Sequence, residues 1–170
     1  MELGSSVRLM TGRLALEPLR MSHVDEMVGV LADERLYTFT GGSAPSIEVL
    51  RDRYRRQSAG SGRDGEHWFN WIVRHTETGQ AGGYVQATGV GERAEVAWRI
   101  GVGHQGRGFA VEAATAMCTW LGERGVGTFA AHIALDHGAS TRVAERLGLQ
   151  RTGTVDADGE AIWEMVRSRA

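Results

Sequence analysis

The sequence predicts a mixed α/β fold, a central and mostly antiparallel sheet of about six or seven strands flanked by about four helices. Three observations carry that expectation. Between residues 67 and 100, three runs with strand-like alternation follow one another across tight turns, which reads as an antiparallel meander. From Arg93 to Leu135 a strand, a glycine-rich turn, a helix and a second strand succeed one another, and a crossover of the usual right hand lays the second strand parallel to the first. Between residues 22 and 59, capping residues stand before apolar residues at helical spacing.

Taken in order, Arg13 to Leu19 alternates Leu14 and Leu16 with charged or small residues, a first strand closed by Pro18. Ser22 is placed to cap a first helix running to about Ala32, with Asp25 three residues on and Val24, Met27, Val28 and Leu31 on one stripe. Tyr37 to Pro45 reads as loop. Ser46 caps a second helix from Ile47 to about Ala59, striped by Ile47, Leu50 and Tyr54, and Ser58 to Gly65 is a flexible connection. Strands follow at 67–74, 80–88 and 93–100. On the last, Val96, Trp98 and Ile100 face one side while Glu95, Ala97 and Arg99 face the other. A helix from near Phe109 ends at Gly122 or Gly125, and a strand spans Thr128 to Leu135. A helix then runs from near Ser140 to Leu147, with Gly148 as its C-cap, and Leu149 to Val155 and Ala161 to Val166 make a last hairpin. No repeat or linker divides the chain, so one domain over residues 1–170 is expected.

A chain of 170 residues can bury a sizeable core, and 42% hydrophobic with 24% charged residues is ordinary globular usage. The formal charge of −2 carries no basic excess, which argues against nucleic acid as a partner. Arg51, Arg53, Arg55 and Arg56 read as a solvated helix face. The single cysteine, Cys118, allows no internal disulfide and suits a reducing compartment; its place in a helix predicts a buried, inert thiol. The opening MELGSSVRLM has no apolar core after basic residues, and nowhere do about 18 apolar residues run together, so a cytoplasmic protein without a membrane partner is expected.

The most informative stretch is Glu95 to Gly125. Gly103, Gly106 and Gly108 keep its turn free of side-chain bulk, and the first N–H groups of the following helix lack partners inside it and lie at the positive end of its dipole. Such a turn suits a phosphate, to which Arg107 can add a charged donor. Gly101 to Gly106 also spells G-x-G-x-x-G, the fingerprint of nicotinamide-dependent oxidoreductases. Its preceding strand, however, carries Glu95 and Arg99, and Asp136, the acidic residue after the next strand, stands too far along. A second phosphate motif, Q/R-x-x-G-x-G/A, is met by Gln105, Gly108 and Ala110. The segment AEVAWRIGVGHQGRGFAVEA resembles the acyl-CoA-binding motif of the GNAT N-acetyltransferase superfamily, in particular its ribosomal-protein N-terminal acetyltransferase (RimJ/RimL-like) branch. HGASTRVAERLGLQRTG is similar to that branch's N-x-A-S-x-R-V-x-E-K-L-G-F-x-x-x-G, and TGRLALEPLRMSHVDEMVGVLAD to its first strand and helix, so the resemblance covers nearly the whole chain.

The resemblance implies a GNAT fold in which strands 93–100 and 128–135 part at one end and the pantetheine arm of acetyl-CoA lies in the gap as an added strand would. It implies that Ile100 supplies backbone groups to that arm, and that Gln105, Gly106, Arg107, Gly108, Phe109 and Ala110 hold the diphosphate. Acetyl transfer needs a neutral amine, so a proton must leave it. Glu95 resembles the central-strand glutamate that many members use as base, and as an ordinary carboxylate it needs an apolar site or a water relay to act near neutrality. The expelled thiolate needs a donor. Many members use a tyrosine after the second motif, which residues 137–170 lack, and Ser140 fills the serine that serves in this branch; a serine there also suits a helix cap. His137 replaces the branch's asparagine and brings an imidazole able to move protons near pH 7. Glu112 fits the branch pattern as a structural hydrogen-bond partner, and Tyr37 and Phe39, between the first two helices, are candidates for the acceptor mouth.

The expectation is therefore an acetyl-CoA-dependent N-acetyltransferase acting by direct transfer on a primary amine, a protein N-terminus or a small molecule; a non-catalytic acyl-CoA-binding module is the alternative. A homodimer is left open. His104 and His132 have no cysteine or acidic residue at metal-ligand spacing in the sequence, and no metal is expected.

Overall fold

The computed structural model describes residues 6–167, so the first half of the MELGSSVRLM opening lies outside the described residues. Twelve regular elements are present among the described residues: β1 (Leu9–Met10), β2 (Leu14–Pro18), α1 (Val24–Val30), α2 (Ile47–Ala59), β3 (Glu66–His75), β4 (Ala81–Val90), β5 (Arg93–Ile100), α3 (Phe109–Gly122), β6 (Thr128–Ile133), α4 (Gly138–Leu147), β7 (Gln150–Val155) and β8 (Ala161–Val166). The strands form one sheet in the order β1-β2-β3-β4-β5-β6-β8-β7, antiparallel everywhere except between β5 and β6. This is the expected architecture with eight strands in place of six or seven, because β1 is two residues long and too short to alternate.

Local signals explain most boundaries. Ser46 Oγ accepts from Val49 N–H (3.3 Å) and starts α2 where expected. Ser22 does not cap α1. It lies inside a 3₁₀ turn, Met21–His23, and α1 begins at Val24 with His23 as its N-cap and ends at Val30 rather than Ala32. His23 organises this turn: its Nδ1 accepts from Arg20 N–H (3.0 Å) and its Nε2 lies 3.2 Å from Glu17 Oε2.

Alternation along the strands builds two cores, one on each face. Leu14, Leu16, Phe69, Trp71, Val85, Val96 and Phe129 pack against α3 and Ala144 of α4. Ile72 and Ala81 pack on the other face with Val24, Met27 and Leu31 and with Leu50 and Tyr54 of α2. Trp120 of α3 meets Phe69 and Trp71 edge-on at 5.5 Å each, filling the first core with three aromatic rings. Cys118 is buried there, and burial pushes its thiol up to about 12. No helix among the described residues is long and apolar enough to cross a membrane.

The sheet opens at one place. Parallel pairing of β5 with β6 covers Arg93↔Thr128, Ala94↔Phe129 and Glu95↔Ala130 and stops there. Beyond it β5 stays on β4 as far as Gly83↔Ile100, and β6 stays on β8 as far as Ile133↔Ala161. Gly83 permits the first of these, since a side chain on it would run into the Arg99 carbonyl oxygen. Gly101 N–H donates to Gly82 O (2.8 Å), so the alternation of the antiparallel ladder turns the backbone groups of Trp98 and Ile100 away from β4 and into the gap.

Near the far end of β2 and β3, Arg74 donates to Glu17 Oε2 (3.0 Å) and to both carboxylate oxygens of Glu26 (2.9 Å each), while Glu26 Oε1 also accepts from Ala81 N–H. These bonds, Arg74's first among them, hold the Glu26 carboxyl below its ordinary 4.5. A depressed carboxyl adds stability above its unfolded value and loses it as pH falls through the folded one. Resistance to urea is expected to fall on acidification below about pH 4.5, and Arg74→Met is expected to flatten that loss; an unchanged acid slope in the variant would refute the assignment.

Candidate functional site

Where the sheet opens, the chain leaves β5 through a 3₁₀ turn, Val102–His104, and a second turn, Gln105 to Gly108, before α3 begins at Phe109. The G-x-G-x-x-G run is thus taken up by the 3₁₀ turn and ends before the helix starts. Gly106 (φ 75) and Gly108 (φ 80, ψ 10) both adopt the left-handed conformation, and Gly108 is the N-cap of α3 with no side chain capping it. Nothing stands within 4 Å in front of Gly106. The turn is anchored from behind: Gln105 Nε2 donates to Ile100 O (2.9 Å), and Arg13 Nη1 to Arg107 O (2.9 Å).

Glu112, one turn into α3, accepts from Thr11 Oγ1 (2.6 Å), Arg13 N–H (2.9 Å) and Arg13 Nε (2.7 Å), tying the β1–β2 turn to the helix start. Burial raises its carboxyl, and these hydrogen bonds more than offset that, leaving it below the ordinary range. The Phe109 ring is buried, edge-on to His75 at 4.2 Å, with the guanidinium groups of Arg13 and Arg107 over it at 4.6 and 4.7 Å. The Arg107 side chain therefore lies on Phe109, while Gln105, Gly106, Gly108, Phe109 and Ala110 wall a cleft of about 700 Å³.

Ile100 and Trp98 line the same cleft on one side, Ile133, Ala139 and Ser140 on the other. Ser140 is the third residue of α4, whose N-cap is His137 without a side-chain cap bond, so capping is not what Ser140 does. Among the described residues its hydroxyl has no partner, and it faces the cleft. Phe39 and His137 stack at 4.4 Å and 12° across the rim, joining the loop before α2 to the start of α4. Burial, and secondarily Arg99, hold the His137 imidazole below its ordinary value against an opposing Asp136, so it is neutral at pH 7. Tyr37 lies behind the wall: it is 9% exposed, its hydroxyl donates to Leu31 O (2.9 Å), and its ring carries the Arg99 guanidinium at 4.7 Å. Arg99 in turn donates to Thr40 Oγ1 (2.8 Å) at the rim.

The floor is the β4–β5–β6 face opposite α3, made of Tyr84, Gln86, Ala97, Arg99 and His132. Glu95 shares that face but lies outside the cleft wall, 60% exposed, with its Oε1 3.7 Å from His132 Nε2. His132 Nδ1 is 2.7 Å from Asp156 Oδ2, and Asp156 Oδ1 accepts from the N–H groups of Asp158 and Glu160 (2.9 Å each). Those bonds, that from His132 first, hold the Asp156 carboxyl below its ordinary range. Space thus gives His132 the acidic neighbours that linear spacing denied it. One atom each of His132, Asp156 and Glu160 falls within 4.8 Å of the others, the dimension of a cation site, but both Asp156 oxygens are already engaged. Alternation along β4 is a signal that Tyr84 and Gln86 share a face; nothing in the sequence tied Asp156 to His132.

The left-handed turn predicts a measurable strain. Gly108→Val is expected to cost about 1–3 kcal/mol in urea unfolding without any ligand, because its φ of 80 is reserved for glycine; an undiminished midpoint would refute it.

A family model described as "Acetyltransferase (GNAT) domain" matches residues 13–150. Among solved structures, the chain is similar to an acetyltransferase from Agrobacterium tumefaciens str. C58 at 25% identity and a TM-score of 0.76, covering 96% of each chain. It is similar to RimL, the ribosomal L7/L12 alpha-N-protein acetyltransferase in complex with coenzyme A, at 15% identity and 0.78, covering 94% of this chain and 97% of that one. A GNAT-family acetyltransferase from Bacillus anthracis gives 18% and 0.75, covering 94% and 98%. No curated protein matches the sequence.

Proposed function

Because the chain belongs to the GNAT acetyltransferase family, we propose that it transfers an acetyl group from acetyl-CoA directly to a primary amine, with both bound at once. The observation that carries this reading is that one cleft holds a bare strand edge at Trp98 and Ile100, a glycine turn at a helix start, and the Ser140 hydroxyl. The gap takes the pantetheine arm: of Ile100's two backbone groups the carbonyl is bound to Gln105, which leaves its N–H and both groups of Trp98 for pairing. The N–H groups of Gly106 to Ala110, reinforced by the α3 dipole, hold the diphosphate, and Arg107 stands beside them as a further donor.

In the reaction Ser140 gives a proton to the departing thiolate, needing no help from the absent family tyrosine. Phe39 and His137 frame the acceptor, with Tyr37 supporting the rim through Arg99, and the neutral His137 imidazole is a second group able to move a proton there. The Glu95 carboxylate draws the cationic amine to the floor. A protein N-terminus is the acceptor the RimJ/RimL-like motifs support, and RimL, similar in fold, is a ribosomal-protein acetyltransferase.

Acetyl-CoA at 100 times its Kd is expected to add about 2.7 kcal/mol to unfolding stability, while NAD adds none. Thiol release with N-terminal peptides and small amines is expected to fall about 10-fold to 100-fold in Ser140→Ala with acetyl-CoA affinity intact. Binding without turnover on any amine would point instead to an acyl-CoA-binding module, and stabilisation by NAD alone would end the reading.

A further inference from the structure

The notable feature left unused is the pair His132 and Asp156. We infer that His132, held by Asp156, is the group that takes the proton from the acceptor amine, an inference that rests on the acetyl-transfer reading. Asp156 is fixed before His132 reaches it, since two backbone N–H groups of its own turn grip Oδ1 and leave Oδ2 for the ring at 2.7 Å. Asp156 is an anion at neutral pH and can only accept, so Nδ1 carries the hydrogen, and in the neutral ring Nε2 carries the lone pair. A carboxylate behind an imidazole fixes its tautomer and steadies the imidazolium that forms.

Nε2 is left free of Asp156. His132 lines the cleft with 29% of its side chain exposed, and its Nε2 is 3.7 Å from Glu95 Oε1, beyond hydrogen-bond reach. The other charged groups around it are Glu160, on the cleft wall at the turn before β8, and further along the same face Glu164, which is paired with Arg93 at 2.5 Å. Arg99, across the floor, is occupied by Thr40 and Tyr37. Asp156, Glu95 and Glu160 thus gather three carboxylates about the His132 imidazole, while Arg35, Arg99, Arg142 and Arg146 also line the cleft; the local cluster suits an ammonium that must lose a proton. Beside His132, Glu95 holds the ammonium while the imidazole deprotonates it.

The balance is simple. The acceptor ammonium gives a proton to Nε2, and the freed lone pair forms the C–N bond at the thioester carbonyl. The C–S bond breaks with its electron pair on sulfur. Of the two protons that the nitrogen loses in all, one ends on sulfur as the thiol and one in solvent.

His132→Gln is expected to lower kcat/KM for the amine by about 10²–10³-fold at pH 7 without changing acetyl-CoA affinity. The loss should shrink as pH rises toward the amine's own pKa, because the amine then arrives neutral. Asp156→Asn removes the carboxylate that fixes the ring, so kcat should fall and the Nδ1–H tautomer of His132 should be lost from its imidazole ¹⁵N spectrum; a merely structural role would leave the tautomer in place. Independently of turnover, the imidazole ¹⁵N spectrum of the wild-type protein should show His132 as the Nδ1–H tautomer. A wild-type pH profile in His132→Gln, an Nε2–H tautomer, or activity abolished by a chelator and restored by Zn²⁺ would each overturn the inference alone. A wild-type protein that acetylates no amine would overturn the acetyl-transfer reading and this one with it.

Discussion

The structure depends on an interruption of hydrogen bonding. Two parallel strands that pair at Arg93, Ala94 and Glu95 cease to pair beyond Ala130, although both continue for several residues on their outer neighbours. Backbone groups left facing a gap are expensive when dry and unpaired. The chain meets that constraint in part with its own material, placing the Gln105 amide on the Ile100 carbonyl, and leaves the rest of the edge open to the cleft. Everything on the proposed donor side follows from that opening, since the residues at the start of the helix beside it, Gly108 to Ala110, wall the same space.

What keeps the opening rigid is packing and charge behind it. Phe109 is clamped between His75 and two guanidinium groups, and Glu112 gathers three donors from Thr11 and Arg13. The turn can therefore adopt left-handed glycine geometry without collapsing into the cleft. On the proposed acceptor side the support is lighter, a ring stack between Phe39 and His137 and the contacts of Arg99 with Tyr37 and Thr40.

Most of the fold was legible because its determinants are local. Ser46 caps α2, Gly148 ends α4 at φ 89, and β5 falls at Arg93–Ile100 as its alternation requires. The misses are instructive in the same terms. Ser22 has the chemistry of a cap, but His23 binds both Arg20 and Glu17 and tightens the entrance into a 3₁₀ turn first. β1 is too short to carry a period. For the site, the glycine turn and Ser140 were readable because they lie in contiguous motifs, whereas the contact of His132 with Asp156 depends on β8 inserting between β6 and β7, a tertiary choice that no window of sequence displays.

That uneven legibility reflects how the molecule is partitioned. The proposed cofactor cradle is written almost entirely into one stretch, from β5 through the start of α3, whereas the opposite face is assembled from the loop before α2, from β4, from β6 and from the turn before β8. Changes at scattered rim positions can thus alter the opposite face one residue at a time, while the proposed donor cradle stays within one contiguous block.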